Sequence, residues 1–249
     1  MKIMAHRGYS GKYPENTMLA FEKAAESGCD GIELDVHETR DGVLVVFHDD
    51  TLERTTDGSG RLCDHSYDEL RRLNAARRWN GEHPAQRIPA FEEYCAWAAE
   101  QPLFTNIEIK TDHIWYPGIE RKIWETVLRF GLEKKVLFSS FNHISLKLMQ
   151  ELVPPELTLG ALVLAESGLR VRPGEYCSGA GFRAFHPDFR ALCDENVKSC
   201  KDHGVALNVW TVNDEAELEK LCGWDCEGVI TNFPAETAAW LERRGKRNG

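Results

Sequence analysis

Gly31-Ile32-Glu33-Leu34-Asp35-Val36-His37 is answered later in the chain by Asn106-Ile107-Glu108-Ile109-Lys110. Both stretches alternate apolar and polar residues, the period-2 signature of a β-strand. Side chains at i and i+2 share a face. Ile32, Leu34 and Val36 therefore form one apolar face, and Ile107 and Ile109 another, each suited to packing under helices. Glu33, Asp35 and His37 share the opposite face of the first strand, and Asn106, Glu108 and Lys110 that of the second. A parallel barrel normally fills its interior with bulky apolar residues, so three acids and a lysine near strand ends call for a chemical reason.

Further candidate strands are Lys2–Ala5, Val43–His48, Leu103–Lys110, Val136–Ser140, Thr158–Leu164, Ala184–Pro187, Ala206–Val212 and Gly228–Thr231. Amphipathic stretches separate most of them: Thr17–Ser27, Phe91–Glu100, Ile119–Phe130, Ile144–Leu152, Ala191–His203, Asp214–Leu221 and Ala235–Arg244. Strands separated by helices pair in parallel through right-handed crossovers. Asp41-Gly42 is a tight-turn signal that makes Val43–His48 a hairpin extension of the second strand. Eight strand–helix units remain, which predicts an α/β fold, a (β/α)8 TIM barrel. Asn16 or Glu15 is expected to start the first long helix, Gly28 to stop it, and Pro234 to open the last one.

Asp49–Ile88 breaks the rhythm. It is polar and turn-rich, with Asp57-Gly58-Ser59-Gly60, Trp79-Asn80-Gly81 and one helical patch at Tyr67–Leu73. Following a strand's C-terminal end, it is expected to be an insertion after the second strand that caps the catalytic face. The expected organisation is one catalytic domain, residues 1–249, with 49–88 as the cap. The basic tail Arg243–Gly249 is expected to fray.

The 249 residues are 42% hydrophobic and 28% charged, with a net charge of −10 and a mean hydropathy of −0.42. That composition is globular rather than disordered. The acidic balance excludes a general nucleic-acid binder, which needs a basic face. No apolar run approaches the length of a membrane span, and no secretory signal is visible, so no stable membrane insertion is expected. The eight cysteines show neither C-x-x-C spacing nor an activating neighbourhood. A zinc site and a thiol enzyme are thus poorly supported, and reduced thiols in a cytoplasmic protein are expected. Nothing in the sequence speaks to oligomeric state.

Glu33, Asp35 and Glu108, oxygen donors without cysteine, suit a hard divalent cation, Mg²⁺ or Ca²⁺, with Mn²⁺ also compatible. The alternative is an internal salt-bridge network with Arg7 and Lys110. His6 and His48 close a strand and a hairpin, and a histidine pair flanking one substrate can serve as base and acid. Arg7 suits bidentate phosphate contact or an ion pair with Glu33 or Asp35. His37, His65, His83, His113, His143, His186 and His203 read as structural.

These residues carry a resemblance. His6-Arg7-Gly8, Pro14-Glu15-Asn16-Thr17, Gly31–Val36, Thr39-Arg40-Asp41-Gly42, Val45–Asp49 and Leu52-x-Arg54-Thr55-Thr56 follow in order. Asn106–Lys110, Ser139-Ser140-Phe141, Asn208–Asn213 and Gly228–Asn232 continue the series over essentially the whole chain. The pattern resembles the glycerophosphodiester phosphodiesterase family. The resemblance implies a TIM-barrel hydrolase that cuts glycerophosphodiesters to glycerol 3-phosphate and an alcohol, within lipid and glycerol metabolism. It implies that His6 and His48 are the acid–base pair and that Glu33, Asp35 and Glu108 are the metal carboxylates. It also implies Arg7 and Lys110 as phosphate-contacting cations and Trp210 as an aromatic close to the glycerol. The nucleophile, water or the glycerol 2-hydroxyl, stays open, as does the assignment of base and acid.

Two other readings remain. A lysophospholipase D-like enzyme would want an apolar collar, for which Trp115, Tyr116, Phe141 and Phe189 are candidates. A non-catalytic phosphodiester-binding barrel would lack a histidine or a metal acid, and none is missing.

Overall fold

The computed structural model describes residues 1–168 and 171–247. Eight parallel strands close on themselves: β1 (Lys2–His6), β2 (Gly31–Glu38), β4 (Phe104–Ile109), β5 (Val136–Ser140), β6 (Leu159–Val163), β7 (Ala184–Pro187), β8 (Ala206–Val209) and β9 (Gly228–Thr231). β1 pairs with both β9 and β2, which completes the barrel. The short β3 (Leu44–Val46) runs antiparallel to β2, with Val36 opposite Val46. This is the hairpin that Asp41-Gly42 signals, with Gly42 at φ +82.

The connecting helices are α1 (Met18–Ala25), α2 (Tyr67–Leu70), α3 (Phe91–Ala99), α4 (Ile119–Arg129), α5 (His143–Gln150), α6 (Pro173–Ala180), α7 (Asp194–Asp202), α8 (Glu215–Trp224) and α9 (Pro234–Arg243). Most of the longer ones bury one apolar stripe, as Ile119, Ile123 and Val127 do in α4. The main core lies between helices and strands, where Ile32, Leu34, Val36, Ile107, Ile109 and Phe138 are all at most 1% exposed. Inside the barrel, His186, Asn208 and Met4 fill one layer. A Cβ at Gly160 would come within 2.4 Å of His186, and one at Gly228 within 2.5 Å of Asn208, so both positions need glycine.

The sequence boundaries need three corrections. The α1 cap is Thr17, not Asn16 or Glu15: its side chain accepts from the Ala20 amide. Asn16 instead sits at φ +55 and turns its side chain into the barrel. α6 carries no clear apolar stripe, and its existence was not evident from the sequence. Third, the tail docks as far as it is described: Arg244 pairs with Glu219 and Arg247 with Glu242. Asn248 and Gly249 lie outside the described residues, as do Leu169 and Arg170.

Residues 49–88 run between β3 and α3 and contain α2. They build a small apolar cluster of their own, with Leu52, Leu62, Leu70 and Ile88 fully buried against Val45 and Phe47. Among the described residues, no helix is long and apolar enough to cross a membrane.

Candidate active site

Strand register assembles the polar interior. His6 lies beside Glu33 and Glu33 beside Asn106; one row further on, Asp35 lies beside Glu108 and Glu108 beside Ser139. A cavity of about 610 Å³ opens over these rows. His6, Arg7, Glu33, His48, Glu108, Lys110 and Trp210 all line it. Asp35 is fully buried beside them.

Glu33, Asp35 and Glu108 each present a carboxylate oxygen, all within 4.8 Å of one another. Lys110 Nζ donates to Glu108 Oε1 at 2.8 Å and lies 3.9 Å from Asp35 Oδ1. Arg7 Nε lies 3.6 Å from Asp35 Oδ2, which also accepts from Asn16 Nδ2 at 2.8 Å. Burial pushes the Asp35 carboxyl up, but His48, then Arg7 and Lys110, outweigh it and hold the group well below the usual range. Glu33 differs. Among the described residues it has no ion pair, and its carboxylate accepts only from the Arg7 amide, at 2.9 Å. Burial, then Asp35 and Glu108, push its carboxyl well up. Glu108, although bonded to Lys110, is also pushed up, chiefly by burial, so an internal salt-bridge network compensates Asp35 but not all three acids. Asp35 Oδ1 is buried without a hydrogen-bond partner. Three converging oxygen donors, one of them orphaned, fit a hard divalent cation.

Both histidines bond an oxygen through Nδ1, but the acceptors differ. His6 Nδ1 lies 2.7 Å from Asn232 Oδ1, which also accepts from Ser10 Oγ at 3.1 Å. An amide oxygen only accepts, so His6 carries its proton on Nδ1 and leaves Nε2 with a lone pair. Burial, then Arg7, push His6 down to about 3, so the ring is neutral. His48 Nδ1 likewise donates, but to a carboxylate, Asp49 Oδ1, at 2.6 Å. That bond fixes the tautomer and orientation of the ring, with Nε2 turned to the cavity side of the imidazole. The hairpin places His48: the Phe47 amide donates to the Asp35 carbonyl at 3.1 Å, and His37 Nε2 donates to the His48 carbonyl at 3.1 Å. His37 itself is held by Tyr116 Oη. It is structural, as the sequence suggests.

Arg7 sits at φ +56. Such backbone costs on the order of 1–3 kcal/mol in a non-glycine residue and persists where surroundings over-determine it. Its Nη1 donates to Glu15 Oε1 at 2.8 Å. Trp210 is fixed by an Nε1 bond to the His186 carbonyl at 2.8 Å and meets Phe141 edge to face at 5.5 Å.

Several residues beyond the sequence assignment complete the site: Glu15, Asn16, Asp49, Arg54 and Asn232. The available signal was their position, immediately after strand ends or within the motifs quoted above. His113 and His143 also reach the cavity. His113 pairs with Asp50, and both ring nitrogens of His143 are occupied, by Tyr176 and the Leu162 carbonyl. The four-aromatic collar does not assemble. Phe141 lines the cavity, Tyr116 packs on His37, Phe189 packs against Trp224, and Trp115 is half exposed.

The profile of the Glycerophosphoryl diester phosphodiesterase family matches residues 6–236. A glycerophosphodiester phosphodiesterase of Caldanaerobacter subterraneus subsp. tengcongensis is 38% identical over 243 residues, covering 98% of each chain. One from Bacillus altitudinis is 39% identical over 236 residues, 94% of this chain and 95% of the other. A solved Oleispira antarctica phosphodiesterase, in complex with the product sn-glycerol-3-phosphate, superposes with a TM-score of 0.84 at 27% identity, covering 97% of each chain.

Proposed function

Given that this chain belongs to the glycerophosphoryl diester phosphodiesterase family, we propose that His6 and His48 are its proton-transfer pair. Glu33, Asp35 and Glu108 hold one divalent cation, and Arg7, Lys110 and Trp210 receive the substrate. The activity is hydrolysis of glycerophosphodiesters to glycerol 3-phosphate and an alcohol. The observation that supports the assignment of roles is the different acceptor each histidine finds on one cavity: His6 Nδ1 donates to a neutral amide oxygen, His48 Nδ1 to a carboxylate.

The cation, Mg²⁺ or Ca²⁺ with Mn²⁺ compatible, supplies positive charge against the nonbridging phosphate oxygens when bound. Arg7 and Lys110 add fixed charge where negative charge grows in the transition state. His6 Nε2 takes the proton from the attacking hydroxyl, of water or of the glycerol 2-position. His48 gives its proton to the departing alcohol oxygen as the P–O bond breaks. Trp210, locked by His186 and Phe141, offers a flat apolar wall to the glycerol.

The substrate is a small phosphodiester rather than a nucleic acid. Glycerophosphocholine turnover should therefore yield stoichiometric glycerol 3-phosphate and exceed lysophosphatidylcholine turnover by at least about tenfold, since no aromatic collar awaits an acyl chain. Comparable initial rates on both would favour the lysophospholipase D reading. No turnover of any glycerophosphodiester, with any of the three metals, would favour a binding protein.

Residues 1–249 form one catalytic unit with 49–88 as its cap, and the free state of all eight cysteines supports a cytoplasmic setting. Replacing residues 59–85 with a short linker spares Asp49 and Arg54. The variant should keep a cooperative melt, at a lower temperature because Leu62 and Leu70 are lost, and show altered selectivity among alcohols. Failure to fold across several linkers would make the segment part of the barrel core.

A further inference from the structure

Arg54, in the segment after His48, touches two carboxylates at once. Its Nε donates to Asp49 Oδ2 at 2.5 Å, and its Nη2 to Asp49 Oδ1 at 3.0 Å. Its Nη1 and Nη2 donate to Glu15 Oε2 and Oε1, each at 2.7 Å. Asp49 is also the acceptor for His48 Nδ1, and Glu15 the acceptor for Arg7 Nη1. One guanidinium thus joins the partner of the proton donor to the partner of the phosphate-facing arginine. We propose that Arg54 is a positioning residue, which fixes Asp49 and through it the proton-donating ring of His48. The inference rests on the acid role proposed for His48.

The two ends of the bridge are not equivalent. Glu15 keeps Arg7, and a longer contact to Arg78 at 3.3 Å, when Arg54 is removed. Asp49 bonds only His48 and Arg54 among the described residues. Its side chain is 22% exposed. Without Arg54, Asp49 is free to rotate toward water, and the His48 ring loses its orientation. An exposed ion pair contributes little to stability, but a two-ended fork restricts geometry strongly. Substrate affinity should change little, because Arg7 keeps Glu15.

The test uses the full-length, metal-loaded enzyme with Arg54→Gln and Arg54→Lys. Each is assayed on glycerophosphocholine and on the 4-nitrophenyl diester of glycerol 3-phosphate, whose leaving oxygen needs no proton. For Arg54→Gln, kcat on glycerophosphocholine should fall about 10–100-fold, with KM within about threefold and the aryl ester within about threefold of wild type. Arg54→Lys, which keeps the charge but reaches one carboxylate, should recover part of the loss; it also serves if the Gln variant does not fold. In an Asp49→Asn background, Arg54→Gln should add little. Equal losses on both substrates, a change confined to KM, or full additivity with Asp49→Asn would overturn the proposal. If His48→Ala itself loses both substrates equally, the acid assignment fails and this inference falls with it. If His48→Ala is rescued by the aryl ester and the Arg54 variants are not, this inference alone fails.

Discussion

Exhaustive chelation will abolish turnover of glycerophosphocholine, and Mg²⁺ or Ca²⁺ will restore it. The reason is electrostatic. Two carboxylates about 4 Å apart repel by roughly 4 kcal/mol at an effective dielectric near 20, and here three converge. Arg7 and Lys110 pair with Asp35 and Glu108, though Glu108 is still pushed up by burial, while Glu33 has no ion pair among the described residues. A divalent cation held by Glu33, Asp35 and Glu108 would relieve that repulsion, and Asp35 Oδ1, buried without a hydrogen-bond partner, is available as a ligand. Stability supplies a second readout. A cation present at about 100 times its dissociation constant adds roughly 2.7 kcal/mol. In a chain of this size that raises the melting midpoint by about 5–10 °C. Glu33→Gln should lose both the activity and the metal-induced rise, yet leave the metal-free protein at least as stable as wild type, because a repelled charge is gone. Full activity after exhaustive chelation, or an unchanged metal response in Glu33→Gln, would contradict the cation assignment.

His6→Ala and His48→Ala are each expected to lower kcat on glycerophosphocholine by about 10²–10⁴, the usual worth of one general acid or base. That is roughly 3–5 kcal/mol of barrier. Folding should survive in both. Asp49 keeps Arg54 when His48 is removed, and the half-buried Asn232 can turn to water when His6 is removed. No fully buried group is therefore stripped of its only partner. Circular dichroism and the melting midpoint, measured beside kcat, separate catalysis from structure. Near-wild-type rates in both variants would remove the two-histidine mechanism.

The barrel was legible because period-2 alternation is local and strong: Glu33, Asp35 and Glu108 could be aimed inward from their spacing alone. α6 was not. Gly174 is there to let the helix approach α7, since a Cβ would fall 1.9 Å from the Ser199 carbonyl oxygen. Close approach of that kind leaves no apolar stripe to read. The α1 cap was misplaced because Asn16 has the chemistry of a cap but spends its side chain on Asp35. The site's supporting partners were hidden for a third reason. Asn232 lies 226 positions from His6 and Glu15 lies 39 from Arg54, and no local pattern encodes such pairings. The same limit applied to the aromatic collar: Tyr116 and Phe189 follow strands as Phe141 does, but only the fold turns Phe141 toward the cavity.

The division of labour between the histidines is tested most directly by the leaving group. The rate of each single variant on the 4-nitrophenyl diester, divided by its rate on glycerophosphocholine, is compared with the same ratio for wild type. With His48, bonded to Asp49, proposed as the donor to the departing oxygen, His48→Ala should raise the ratio by about 100-fold or more. With His6, neutral and bonded through Nδ1, proposed as the acceptor from the nucleophile, His6→Ala should leave the ratio near that of wild type. A raised ratio in His6→Ala and an unchanged one in His48→Ala would reverse the assignment, and an unchanged ratio in both would contradict proton donation by either ring.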